Sequence, residues 1–322
     1  LDKLIDKEIR ILIIIMIIIY IFFTLNILPS AIARSYINVI YVYILAFTWS
    51  FMYALGYFPL SIAAFYGLGG YLAYYLLMIQ NRFNIPSMIS IMLTVLGVIV
   101  ASFLISFIIA YSTIRLRGPY FIILTFALGE LFRNFFNNIE IVVFGRTGRI
   151  FPIRLSELEV VSYLTLLAIL SMILWSYIKN SKMGIAIQMI GRDETLAEAM
   201  GVNTFRVKMI TFMTASTIQT LVGLIMAGYL MYIEPQHVFN PYIAFIAPIS
   251  ALVGGSSSTL GPFIGSIIMI YISEQISFIL IRGHLIILGV ILVILSVFVK
   301  KGVYDYIHIF FTARKVSTST RA

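Results

Sequence analysis

Cysteine is absent from the 322 residues, which excludes disulfides, iron–sulfur clusters and thiolate zinc sites. The three histidines, His237, His284 and His308, are scattered without ligand spacing, so no metal site is expected. The sequence contains no Gly-x-x-x-x-Gly-Lys-Ser/Thr phosphate loop, Gly-x-Ser-x-Gly elbow or His-Glu-x-x-His helix, and Gly67-Leu-Gly69-Gly70 lacks the strand and spacing of a dinucleotide fingerprint. The chain is therefore expected to carry no catalytic residue and no cofactor, and not to bind ATP itself. Charge is scarce as well: Asp, Glu, Lys and Arg make up 11% of the residues, against 61% hydrophobic ones. With a mean hydropathy of +1.04, that balance excludes a soluble domain with a polar surface and points to a polytopic membrane protein in contact with the lipid bilayer. The net charge of +9 is not a nucleic-acid signal, because the Lys and Arg residues cluster in loops on one side of the apolar runs.

Those runs read as about ten transmembrane helices, over 9–28, 37–55, 60–79, 87–111, 120–139, 160–178, 207–229, 242–253, 260–280 and 284–299. The expected fold is all-α, a polytopic helix bundle forming a single transmembrane domain over 1–322, multi-pass in the plasma membrane with both termini cytoplasmic. The first run precedes Ala31-Ile32-Ala33, which has the form of a leader cleavage site, but it is far longer than the roughly 7–15 residues of a leader's apolar core and is read as a span. Leu1 in place of Met points to an unusual start or a trimmed sequence. Arg115 and Arg117, the 179–208 stretch, and Lys300, Lys301, Arg314 and Lys315 all fall on the inner side, as the positive-inside rule requires. The outer loop 140–159 is the exception, since its three glutamates only dilute Arg146, Arg149 and Arg154.

The longest polar interruption, Lys179 to Lys208, separates the sixth and seventh spans. Within it Asp193 can cap a short helix, Glu194 sits in the first turn beside the positive dipole end, and Gly201 can end the helix in the left-handed conformation after about two turns. Leu196, Ala199 and Met200 share one side, whereas Glu194 and Glu198, four residues apart, repel each other and await external cations. Lys179, Lys182, Arg192, Arg206 and Lys208 mark the stretch as cytoplasmic. Spacing alone gives a solvated loop helix.

The run GRDETLAEAMGVNTFRVK, however, resembles the cytoplasmic coupling segment of permease subunits in ATP-binding-cassette importers of the branched-chain amino acid type. Ala197-Glu198-Ala199-Met200-Gly201 carries the signature, and the match is good over 192–201. The resemblance implies that Asp193, Glu194, Leu196 and those five residues dock into a groove on a separate ATPase. Three further segments extend it: Gly56 to Leu76, which in that family belongs to a helix near the translocation path; Arg115-Leu-Arg-Gly-Pro-Tyr-Phe with 125–133; and 252–265. Their order and spacing are similar to a LivM-type permease. Two ATPase subunits, a second related permease and an extracytoplasmic solute-binding protein are then the implied partners. Branched-chain amino acids are the implied cargo, with urea, short amides or other amino acids as alternatives within the same family.

Ser61, Phe65 and Gly67 recur in offset as Thr259, Phe263 and Gly265, either a trace of an internal repeat or a chance match. Small residues four apart, such as Ala63 with Gly67, Gly69 with Ala73, Gly223 with Ala227 and Gly261 with Gly265, permit close helix approach. Glu130 lies near mid-span, where a charge costs at least about 2.5–3.5 kcal/mol, and Arg133 three residues on is its natural partner, with Asn134 and Asn137 continuing a polar strip. Ser61, Phe65, Gly67, Glu130, Arg133, Gly261 and Gly265 are thus the candidate pore or permease-interface residues; for the charged pair, a neutralised packing lock is the favoured role. A self-sufficient carrier with Glu130 as its proton site is the rival from another class.

Overall fold

In a computed structural model describing residues 7–24, 30–83, 86–279, 290 and 304, each apolar run expected over those residues is helical. The helices up to the central polar stretch are α1 (Lys7–Thr24), α2 (Ser30–Tyr53), α3 (Ile62–Arg82), α4 (Ser87–Thr113), α5 (Pro119–Phe144) and α6 (Glu157–Lys179). The polar stretch holds α7 (Lys182–Arg192) and α8 (Glu194–Ala199); beyond it come α9 (Thr204–Leu230), the short α10 (Pro235–Val238), α11 (Pro241–Gly254) and α12 (Leu260–Ile279). Six of the described helices are long and apolar enough to cross a membrane, which makes the chain an all-α polytopic membrane protein. The span expected over 284–299 and the basic residues Lys300, Lys301, Arg314 and Lys315 lie outside the described residues.

Backbone chemistry sets several of these ends. Gly118 turns the chain at φ 59° into Pro119, whose missing N–H costs nothing at a helix start. Ser156 and Glu159 close a reciprocal capping box at the head of α6. The centre of the bundle is α2 with α3 and α9. Along α2 the side chains from Val42 to Met52 are buried, and the Trp49 indole N–H donates to the Pro59 carbonyl at 2.9 Å. The helices α3 and α9 cross where neither has a side chain: a Cβ on Gly69 would overlap the Thr220 carbonyl, and one on Gly223 the Tyr66 carbonyl. Gly254, Gly261 and Gly265 bring α11 against α12 in the same way. Lipid removes the hydrophobic drive between helices, so such backbone contact is what holds them. The outer surface of α4, with Met92, Val100, Leu104 and Ile108, is apolar and exposed, as a lipid-facing helix requires.

The helix ends sort onto two faces. On one, Glu8 accepts from the Thr259 N–H (3.3 Å) and the Tyr304 hydroxyl (2.7 Å), and the loops 54–61 and 114–118 adjoin α7 and α8. On the other, β1 (Arg149–Ile150) and β2 (Tyr232–Ile233) pair antiparallel. The boundary expected at 140 needs correction, because α5 continues to Phe144 and Glu140 is fully buried near its end. There the Tyr71 hydroxyl donates to Glu140 Oε1 (3.0 Å) and the Gly148 N–H to Oε2 (2.6 Å). Arg149 lies 3.8 Å from the same carboxylate and 3.7 Å over the Phe144 ring. One of the three arginines that offended the charge rule is therefore neutralised inside the fold. Single cysteines at Thr147 and Thr195, introduced into this cysteine-free chain, are expected to react with an impermeant thiol reagent from opposite sides of the membrane; labelling from one side would overturn this arrangement.

Candidate functional site

The polar stretch between α6 and α9 forms a two-helix platform. Ser181 caps α7 by accepting from the Met183 N–H (3.1 Å), and Ile187 and Ile190 bury that helix against the bundle. Two glycines let it lie close: a Cβ on Gly184 would strike the Lys179 carbonyl and one on Gly191 the Ala54 carbonyl at the end of α2. Asp193 then breaks the helix and caps the next one. Its Oδ1 accepts from the Thr195 hydroxyl (2.6 Å), the Thr195 N–H (2.9 Å) and the Leu196 N–H (3.1 Å). These donors, the Thr195 hydroxyl foremost, hold the carboxyl below the usual carboxylate range, so the cap is lost only as pH falls through that depressed value. Gly201, at φ 83°, ends α8, and the Val202 N–H returns to the Ala197 carbonyl (3.0 Å).

The two sides of α8 differ. Ala197 is fully buried, whereas Leu196 is 61% and Met200 69% exposed, with Glu198 and Ala199 also exposed. Apolar side chains this open at the polar end of the bundle lack a cover within the described residues. On the inner side, Glu194 forms an ion pair with Lys208 on α9 and a second with Arg117 in the α4–α5 loop (3.0 Å). Lys208, only 3% exposed, also donates to the Tyr57 hydroxyl (2.8 Å), whose oxygen in turn reaches the Ile114 carbonyl (3.4 Å). Glu198 accepts from the Thr204 hydroxyl (2.7 Å). The expectation that Glu194 and Glu198 await foreign cations is corrected at Glu194, whose cations come from the chain itself. Helix α7 and the Lys208 cluster are what sequence reasoning missed. A lone Lys between Val207 and Met209, one turn into an apolar run, was the available signal.

The remaining candidates separate by burial. Ser61 (3% exposed) heads α3, Phe65 meets the Phe212 ring edge-on at 5.6 Å, and Gly67 lies under the Phe239 ring, where a Cβ would overlap it. Gly261 and Gly265 are in the α11–α12 crossing. These five sit in contacts inside the chain's own bundle. Glu130 and Arg133 do not: they pair with each other, half-buried, at the margin of the exposed stripe of α5 that carries Ile123, Leu131 and Phe135. Glu130→Gln is expected to destabilise by about 2.5–3.5 kcal/mol in nanodiscs by stranding Arg133, and the further change Arg133→Met to restore stability and uptake. Uptake still abolished in a stable double variant would assign the pair to the solute path instead.

The described residues thus form an all-α polytopic membrane protein with a two-helix polar platform at one end of the bundle. The chain belongs to the family described as "Branched-chain amino acid transport system / permease component", which matches residues 31–296. It is similar to the high-affinity branched-chain amino acid transport system permease protein LivH of Escherichia coli K12, 31% identical over 114 residues that span 34% of each chain. It is also similar to LivM of the same strain, 24% identical over 199 residues (52% of this chain, 47% of that one), and to the ribose import permease protein RbsC of Haemophilus influenzae, 22% identical over 134 residues (40% and 42%). The matched stretch covers about a third of LivH and under half of the other two. No solved structure matches the chain.

Proposed function

We propose that the chain is the permease subunit of a binding-protein-dependent ATP-binding-cassette importer for branched-chain amino acids in the plasma membrane. In this reading 1–322 is one transmembrane domain of about ten helices with both termini cytoplasmic, and 179–208 is its coupling segment. Two ATPase subunits, a second related permease and an extracytoplasmic solute-binding protein complete the machine. The observation that carries the proposal is α8, which offers Leu196 and Met200 outward while Glu194 ties it to α9 and the α4–α5 loop. A partner that closes on Leu196 would thereby move α9 and the α4–α5 loop. The open face of α5, with its Glu130–Arg133 pair, is the proposed seat of the second permease, and the buried Ser61, Phe65, Gly67, Gly261 and Gly265 keep the adjoining helices close.

The cargo assignment draws support from the family description and from LivH and LivM, with RbsC supporting only the broader class. Glu130 is paired with Arg133 on its own helix, a contact that supports the packing role over that of a coupling site. The test is reconstitution with the ATPases, second permease and binding protein in liposomes. Leucine uptake driven by ATP is expected, with ribose and urea ignored; uptake driven by a proton gradient without ATPases would refute the proposal.

A further inference from the structure

At the end of the bundle opposite α8, a recess of about 420 Å³ opens between α2, the corner before α11, and α12. Its walls carry Asn38, Tyr41, Asn240, Tyr242, Ser273 and Glu274, a dense set of polar groups for helices that are otherwise apolar. Most are already oriented. Asn240 Oδ1 accepts the Tyr242 backbone N–H (2.9 Å) as the cap of α11, the Tyr242 and Ser273 hydroxyls share a hydrogen bond (2.8 Å), and the Asn38 amide donates to Glu274 Oε1 at a long 3.4 Å. Asn240 spends its oxygen on the cap, and its amide N–H groups donate to no partner among the described residues. Glu274 is the one charged side chain in the recess, and no ion pair engages it among the described residues. It is exposed to the recess and stands about 21 Å along α12 from Leu260, toward the far end of that helix.

The recess therefore brings together one anionic acceptor, the Asn240 amide, the Tyr41, Tyr242 and Ser273 hydroxyls, and the apolar side chain of Ile270. That pattern complements a small zwitterion with an apolar side chain. We propose that this recess is the first subsite a solute occupies on the permease, holding the ammonium group of an α-amino acid at Glu274. The proposal rests on the importer function above and assigns the residue that recognises its cargo. A charge-assisted hydrogen bond of this kind is expected to contribute about tenfold or more in affinity.

The test is binding of radiolabelled leucine to the assembled complex in nanodiscs without the solute-binding protein. Glu274→Gln is expected to weaken binding at least tenfold. In the unmodified complex, 4-methyl-2-oxopentanoate, which has a carbonyl oxygen where leucine has its ammonium, is expected to compete at least tenfold more weakly than leucine, and the Gln variant to lose that discrimination. Equal leucine binding by the variant, or equal competition by the keto acid, in a complex that still imports leucine would overturn the subsite and leave the importer function standing. A complex that assembles but imports no leucine would overturn the importer function, and the subsite with it.

Discussion

Leu196→Asp is expected to abolish ATP-driven uptake while leaving the permease inserted and folded. Leu196 is 61% exposed in the isolated chain, so its replacement should shift the chain's own stability by no more than about 0.5 kcal/mol. Docked in an apolar groove, the same carboxylate would be buried without a counter-charge. A penalty of about 3 kcal/mol there weakens docking by a factor of roughly a hundred. The ATPases should then fail to co-purify, and solute-stimulated hydrolysis should vanish with uptake. Glu198→Arg is expected to act in the same direction but less, because Glu198 is exposed and its Thr204 contact is a local one. Wild-type uptake by the Leu196→Asp complex would reduce α8 to a passive loop.

Glu194→Gln should break the machine at a different place. Lys208 is almost wholly buried and its charge is met by Glu194, so neutralising the carboxylate strands an ammonium inside the fold. Removing one partner of a buried pair costs about 3–5 kcal/mol, and Arg117, 60% exposed, can turn to water instead of compensating. The single variant should melt early. The double variant Glu194→Gln/Lys208→Met should recover its melting temperature, since the buried charge is gone, yet hydrolyse ATP with little uptake, since α8 has lost its ionic tie to α9. Full uptake per ATP in that double variant would show that the tie transmits nothing.

Local chemistry was legible where it acts over a turn or less. Asp193 caps α8 through residues two and three positions on, and Gly201 ends it, both as spacing predicted. The apolar helices among the described residues were legible because lipid demands long apolar runs. What escaped was tertiary. Helix α7 carries Gly184 and Gly191, which disfavour a helix on local grounds, and only the backbone of residues 179 and 54 explains why those positions must lack a side chain. Glu140 reads as a loop acid until Tyr71, on another helix, is seen to donate to it. Lys208 reads as one more cytoplasmic cation, and its burial depends on Tyr57 and Glu194 meeting it across the end of the bundle that carries α8. In each case the partner is set by the fold and carries no mark in the neighbouring sequence.

The coupling role of α8 is tested most directly by the rate at which the thiol of a Leu196→Cys variant is alkylated, first in the purified permease and then in the assembled complex, with Thr147→Cys on the far face as the control. An ATPase groove seated over α8 predicts rapid modification of the free permease and at least tenfold protection of the thiol at position 196 on assembly, with the control rate unchanged. Equal rates at that position in both states would mean that nothing docks there.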